Sequence, residues 1–339
     1  MLKLINQWST RDFENHIDDI LGKSFTVEKI EIAGDGNMNF TYRLVLKNNP
    51  SLIVKQSPSF CARFPDIPAP DKRILSEMRY YELANKDEYI ARHSPEILGL
   101  DEKNRIAYIS DLGTATDFEY LYAQKTAIDP DACSKLVKYL VTLHNLTMPE
   151  EVEFNNFAMR ELNHDYIFNL PFLPDDGAIN LDEITPGLKE VVDEYKIDAE
   201  LRNAAIKLGK LYFQKDKTLI HGDYYPMSWI NTENGLFIID PEFGFMGLPE
   251  IDLGFFLAHM LLSNNFEIAL RSVKETYGPC DFELVAKFCA VEVIRRITYV
   301  SQLPILNSLS FKKDLLSKSA MVLKTGEMEI YENSNYNIH

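Results

Sequence analysis

Residues 219–243 read LIHGDYYPMSWINTENGLFIIDPEF. Two short apolar runs, Leu219-Ile220 and residues 236–240, each lead into a polar group. His221-Gly222-Asp223 follows the first, and Asp240-Pro241-Glu242 closes the second. The Asn234-Gly235 pair between them is a tight-turn signal. The two strand ends are therefore predicted to lie side by side, with three carboxylates at one end of a hairpin. Carboxylates so grouped repel one another unless a cation neutralises them. Two hard oxygen ligands completed by phosphate oxygens suit Mg²⁺. The remaining carboxylate can then accept a proton from a hydroxyl nucleophile. Phosphoryl transfer divides its labour in this way.

On the N-terminal side the pattern is mainly β. A short helix comes first, capped by Ser9 with Asp12 three residues on, and Phe13, Ile17, Ile20 and Leu21 fall at helical spacing. Residues 25–32 read as a strand, and Gly34-Asp35-Gly36-Asn37 as a turn. From Phe40 to Lys47, large apolar residues alternate with Thr41, Arg43, Val45 and Lys47, a half-buried strand. Residues 52–55 form a third strand. A Pro-rich loop from Pro58 to Pro70 precedes a helix over 71–85, and a further strand covers 105–110. Beyond Asp111-Leu112-Gly113 the periodicity turns helical, over 133–146, 201–213, 251–262 and 282–302, and again beyond Phe311. These patterns predict an α+β protein with a β-rich N-terminal lobe over 1–112 and a mainly helical lobe over 113–339.

Composition limits the function classes. The chain has 339 residues, a formal net charge of −16 and 46% hydrophobic residues. That hydrophobic fraction supports a sizeable core and argues against wholesale disorder. The acidic balance, with no Lys/Arg block, speaks against nucleic acid or an anionic membrane as partner. The first 21 residues turn polar too early for a signal peptide. The longest apolar run, residues 255–262, is far short of the ~20 residues that span a bilayer. Cys61, Cys133, Cys280 and Cys289 are scattered and form no CxxC pair, so a zinc site is not expected. Reduced thiols and a cytoplasmic location are the expectation.

Five separated motifs carry a resemblance. Gly34-Asp35-Gly36-Asn37-Met38-Asn39-Phe40, Ile53-Val54-Lys55-Gln56, His221-Gly222-Asp223, Ile239-Asp240-Pro241-Glu242-Phe243 and Glu292-Val293-Ile294-Arg295-Arg296 occur in that order. Together they resemble the aminoglycoside phosphotransferase/choline kinase superfamily, and within it the methylthioribose kinases. The resemblance implies a bilobal protein-kinase-like fold and an ATP- and Mg²⁺-dependent kinase acting on a hydroxyl of a small molecule, such as methylthioribose or a related sugar. It implies that Asp223 orients or deprotonates the acceptor hydroxyl, and that Asp240 and Glu242 hold Mg²⁺. Lys55 would bind phosphate oxygens, with Glu77 as its helix partner and Glu82 as second candidate. Asn39 would contact the nucleotide, and Ser110, Asp111 and Leu112 would form the hinge against the adenine. Arg295 and Arg296 would face the acceptor or the transferred phosphoryl group, where guanidinium forks suit phosphate oxygens. A homodimer is common in the resembled family.

Two departures bear on the acceptor. Ser228 stands where the superfamily often has a metal-binding Asn, although the methylthioribose kinases also have Ser there. Tyr224-Tyr225-Pro226-Met227 replaces that family's usual Leu-His-Thr-Gly. Several residues also have plainer readings. His221 is expected to pack beneath its loop, and His144 to be a satisfied core histidine. Asp252 either holds the His-Gly-Asp loop through hydrogen bonds or only favours a helix N-terminus. Tyr224, Tyr225 and Trp229 either line an acceptor pocket or only pack. Adjacent helical positions point ~100° apart, so Arg295 and Arg296 need not both reach one ligand. The alternative functions are the same chemistry on an aminoglycoside, choline or homoserine, or a nucleotide-binding pseudokinase.

Overall fold

The computed structural model describes residues 3–34, 36–124, 126–174, 179–300, 303 and 308–332. Asp35 of the glycine turn and Gln302 at the predicted end of a helix lie outside the described residues. The chain forms two compact units. The first comprises 1–116, 156–159 and 230–244, and the second 117–155, 160–229 and 245–339.

The first unit is built on a five-stranded antiparallel sheet of β1 (Val27–Ile32), β2 (Phe40–Leu46), β3 (Leu52–Gln56), β4 (Ile97–Asp101) and β5 (Ile106–Ser110), in the order β1-β2-β3-β5-β4. Helix α1 (Thr10–Leu21) starts at the expected capping box. Asp12 N donates to Ser9 Oγ and Ser9 N donates back to Asp12. Gly22 ends the helix in the left-handed region at φ +62°. Phe13 and Ile17 of α1 pack on Leu44, Leu52, Val54 and Tyr108 to form this unit's core. Side chains alternate across a strand, so Val54 faces that core while its neighbour Lys55 faces away, toward α2 (Arg73–Ala84). Strand β4 was not expected from the sequence, since Gly99 interrupts its apolar pattern. The glycine is a fitting requirement: a Cβ there would lie 2.4 Å from Leu21 Cδ2 of α1.

One strand pairing departs from expectation. Leu219–Ile220 does not join residues 236–240; it pairs antiparallel with Phe245–Met246. The Asn-Gly turn instead links Trp229–Thr232 to Gly235–Ile238, and Ala115–Asp117 adds a third strand beside Trp229–Thr232. A two-residue turn closes on its immediate neighbours, and Trp229–Thr232 is the apolar run next to it.

The second unit is helical. Its main elements are α3 (Pro130–His144), α4 (Ala199–Tyr212), α5 (Glu250–Leu262), α6 (Phe282–Thr298) and α7 (Leu309–Thr325). Every residue of α5 from Ile251 to Leu262 is buried. Helix α6 packs closely on it: a Cβ on Gly254 would lie 2.5 Å from Phe288 Cβ and 2.8 Å from Cys289 N. Helix α6 is shorter than expected, because Tyr299 leaves the helix in extended backbone. Among the described residues no helix is long and apolar enough to cross a membrane. The α+β class, β-rich toward the N-terminus and helical toward the C-terminus, is as the sequence predicts.

Candidate active site

In the first unit, carboxylates from two distant segments converge on Lys55. Its Nζ donates to both Glu77 oxygens, at 2.7 and 2.8 Å, and to Asp240 Oδ1 at 2.5 Å. Lys55 and Glu77 are buried, whereas the Asp240 side chain is 49% exposed. Glu82, the other candidate partner, lies on the outer face of α2 and pairs with Arg79. Burial works against the Lys55 ammonium, but Asp240, Glu77 and Glu242 outweigh it and hold the lysine above its usual range. Burial raises Glu77 against the opposing pull of Lys55, and burial likewise raises Glu242. Asp240 adopts φ +61°, the left-handed region that strains a residue other than glycine.

Two residues unremarked in the sequence organise this cluster. Arg73, fully buried at the start of α2, donates to Asn39 Oδ1 at 2.9 Å. Its guanidinium also binds the carbonyls of Met38, Pro58, Phe60 and Pro70, and its Nε lies 3.8 Å from Glu242 Oε2. Asn39 in turn donates to Glu242 Oε2 at 2.9 Å, so both ends of its amide are engaged. Arg73 thus ties the glycine turn to the Asp-Pro-Glu segment. The signal for it was spacing, since it stands one helical turn before Glu77. Asn156 clips the same segment: its amide donates to the carbonyls of Glu242 and Gly244 and accepts from Ser76. Beside the turn lies a hollow of about 210 Å³ lined by Ile32, Gly34, Asn39, Thr41 and Arg63 among others.

The expected hinge is held by side chains. Asp111 forms a two-point ion pair with Arg43 (2.7 and 3.0 Å), and Ser110 Oγ accepts from Glu96 N. The half-buried Leu112 follows directly.

In the second unit the His-Gly-Asp loop hangs from Asp252 at the start of α5. The buried carboxylate accepts from His221 N at 2.7 Å and from Gly222 N at 2.8 Å. Asp252 also lies 3.1 Å from His144 Nε2, and His144 Nδ1 lies 2.6 Å from the Tyr277 hydroxyl. The open question about Asp252 is therefore answered: it holds the loop. His144 is a satisfied core histidine, and His221 is fully buried with its ring against Tyr224. Gly222 turns at φ +79°, which requires glycine for an unstrained bend. Ser228 Oγ donates to the Asp223 carbonyl at 3.1 Å. Tyr224 and Trp229 pack in the core, the Tyr224 hydroxyl donating to Leu136 O. Tyr225 differs, with its ring 5.1 Å from the Arg296 guanidinium.

Arg295 and Arg296 do converge. Glu292, fully buried on α6, reaches Arg295 one turn on through Nε and NH2, and Arg296 Nε at 2.7 Å. Positions i+3 and i+4 both border residue i on a helix, so one carboxylate gathers two side chains that start ~100° apart. Their NH2 groups then lie 3.9 and 3.8 Å from Asp223 Oδ1. Burial favours the neutral acid at Glu292, but the two guanidiniums overcome it and hold the carboxyl well below its usual range.

Comparison with known proteins fits this arrangement. The profile of the phosphotransferase enzyme family matches residues 29–280. Methylthioribose kinase of Bacillus cereus (strain B4264) is 26% identical, the match covering 68% of this chain and 59% of that protein. Methylthioribose kinase 2 of Oryza sativa subsp. japonica is 27% identical, over 72% of this chain and 58% of the relative. The chain thus spans about three-fifths of the length of these curated relatives. Spectinomycin phosphotransferase, solved with ADP and spectinomycin, superposes with a TM-score of 0.56 at 14% identity, covering 95% of this chain and 99% of that one. A choline kinase from Streptococcus pneumoniae gives a TM-score of 0.52 at 14% identity, covering 92% and 98%. Both solved structures share the fold. Because the family's profile runs through the lysine strand, the His-Gly-Asp loop and the Asp-Pro-Glu turn, the chain belongs to the phosphotransferase enzyme family.

Proposed function

We propose that this protein is an ATP- and Mg²⁺-dependent kinase that phosphorylates a hydroxyl of a small molecule, with methylthioribose as the leading acceptor. The observation that carries the reading is the convergence of Lys55, Glu77 and Asp240, a buried ammonium held between two carboxylates more than 150 positions apart in the chain. Such a lysine is oriented and permanently charged, as a ligand for phosphate oxygens must be.

Asp240 and Glu242 are the residues that would hold Mg²⁺. Asp240 is half-exposed, and Glu242 is oriented by Asn39 and Arg73. Among the described residues no group of three or more His, Cys, Asp or Glu side chains forms a metal cage. A pair of carboxylates suits Mg²⁺, which keeps water and takes substrate phosphates as its other ligands. When bound, the ion would neutralise charge on the phosphates. Ser110, Asp111 and Leu112 are the proposed adenine hinge. Asn39 serves this site by bridging Arg73 and Glu242, which supports the metal position more directly than the nucleotide. Asp223 orients the acceptor hydroxyl and receives its proton. Arg295 and Arg296 supply donors for the acceptor or the phosphoryl group. The relatives named methylthioribose kinase support that acceptor. The small-molecule acceptor is the proposed partner, and the cell interior the proposed location.

The test is ADP release with ATP·Mg²⁺ across a panel of hydroxylated acceptors that includes methylthioribose. A strong signal on methylthioribose is expected. Turnover on a different acceptor keeps the kinase and replaces the substrate, pointing to Tyr225 as a determinant. Silence on every acceptor, with ATP still bound, overturns the reading in favour of a pseudokinase.

A further inference from the structure

Behind the arginine pair runs a line of buried polar side chains to which the resemblance assigns no role. Tyr122, His259 and Glu292 are each no more than 1% exposed. The Tyr122 hydroxyl lies 2.5 Å from His259 Nδ1, and His259 Nε2 lies 3.0 Å from Glu292 Oε1. An ionised carboxylate only accepts hydrogen bonds. The imidazole proton must therefore be on Nε2, which donates to Glu292, while Nδ1 accepts from the Tyr122 hydroxyl. Burial pushes His259 down to about 4, so the ring is neutral near pH 7. Its charged and titratable neighbours are Tyr122 and Tyr225, which face the ring, and Glu292, Arg295 and Arg296 of α6.

The count at Glu292 gives this line its purpose. A carboxylate offers about four acceptor sites. Arg295 Nε donates to Oε2, whereas Arg295 NH2 and Arg296 Nε both donate to Oε1. His259 Nε2 is a third donor on Oε1, so Oε1 carries three hydrogen bonds and Oε2 one. Rotating the carboxylate away from this arrangement would break at least one of these buried hydrogen bonds. Both guanidiniums are then pinned through their Nε atoms, and their NH2 groups are aimed at Asp223 Oδ1. The Tyr225 ring, 5.2 Å from that of His259 and 5.1 Å from the Arg296 guanidinium, walls the same cluster.

We infer that His259, held in one tautomer by Glu292 and bonded from behind by Tyr122, is a positioning residue: it adds a fourth donor to Glu292 and so helps aim Arg295 and Arg296 at the Asp223 carboxylate. Its effect on turnover rests on the kinase reading above; its effect on the network does not.

The experiment combines kinetics with ¹⁵N NMR of the imidazole. His259→Leu removes the donor and keeps the bulk. It should lower kcat about tenfold to a hundredfold, as small misalignments do, with the KM for ATP essentially unchanged. His259→Gln places an amide N–H near the former Nε2 and should restore most of the rate, which a merely space-filling role would not require. In the spectrum, compared with that of His259→Gln for assignment, His259 should be protonated on Nε2 only at pH 7, and Tyr122→Phe should keep that tautomer because Glu292 still only accepts. A His259→Leu protein with wild-type kcat, or a ring protonated on Nδ1, overturns the inference. If no acceptor is turned over, the kinase reading fails by itself and the tautomer measurement still decides the network. If His259→Leu does not fold, His259→Asn, whose shorter amide stops short of Glu292, takes its place in the comparison with His259→Gln.

Discussion

The two charged clusters are opposites in sign. In the first unit one ammonium, Lys55, serves Glu77 and Asp240, with Glu242 and Arg73 beside them. Counting those five groups as ionised leaves one net negative charge, a surplus suited to a divalent cation. In the second unit one carboxylate, Glu292, serves two guanidiniums, and a neutral imidazole adds a fourth donor. There the surplus is positive, suited to phosphate or to the Asp223 carboxylate. The clusters also differ in how they could respond to damage. A buried carboxylate that loses its partner can take up a proton and become neutral. A buried guanidinium cannot discharge.

The largest expected effect is on chemistry. Asp223→Asn should reduce kcat by about 10² to 10⁴-fold, the usual contribution of a positioned proton acceptor, while the KM for ATP holds. Steady-state kinetics with ATP and acceptor measure this, and near-normal turnover would remove Asp223 from the reaction.

The next two substitutions set the clusters against each other. Glu292→Ala leaves Arg295 and Arg296 buried and charged, and should cost about 3–5 kcal/mol of unfolding free energy. Denaturant titrations should show that cost at every pH between 5 and 9. Lys55→Met should cost less at low pH, because Glu77 can protonate. Burial already raises Glu77 to about 7 against the pull of Lys55, and the substitution removes that pull. The folded variant therefore keeps a proton that the unfolded chain releases above its ordinary value near 4.5. Its stability should be highest below that value and fall as pH rises through 7, by at most about 1.4 kcal/mol per pH unit. A flat profile for Lys55→Met, or a steep one for Glu292→Ala, would erase the distinction.

Glu242→Gln keeps shape and removes charge. The Mg²⁺ concentration for half-maximal activity should rise by about tenfold, within the range for lost metal-site interactions. An unchanged metal titration argues that Glu242 serves only Asn39 and Arg73. The smallest effect separates two glutamates of one helix. Glu82→Ala should change stability by less than about 0.5 kcal/mol, as exposed positions do, and should leave the KM for ATP alone. A Glu82 variant with weakened nucleotide affinity would contradict the pairing of Lys55 with Glu77.

Much of this was legible in the chain, for local reasons. Ser9 and Asp12 announce a capping box because both partners lie within one turn. The alternation around Lys55 places it on the face opposite Val54 because a strand has a period of two. Other features were visible but underweighted. His259 is a single polar residue in the apolar run of α5, and Glu292 stands alone between apolar neighbours of α6 with arginines three and four positions on. A polar group surrounded by apolar ones predicts a partner, since burying it unpaired is costly, but it does not name the partner.

By itself the sequence determined the main element types, the β-rich start and helical remainder, and which residues are candidates for phosphoryl chemistry. Each of those depends on neighbours within a turn or a pleat. Only the tertiary structure decided that Glu77 and not Glu82 reaches Lys55, that Leu219–Ile220 pairs with Phe245–Met246, and that Arg73 binds the glycine turn. It also decided that a histidine on α5 bonds a glutamate on α6. Those choices are made among residues far apart in the chain. They are settled by which polar groups lose water together and must therefore bond to one another.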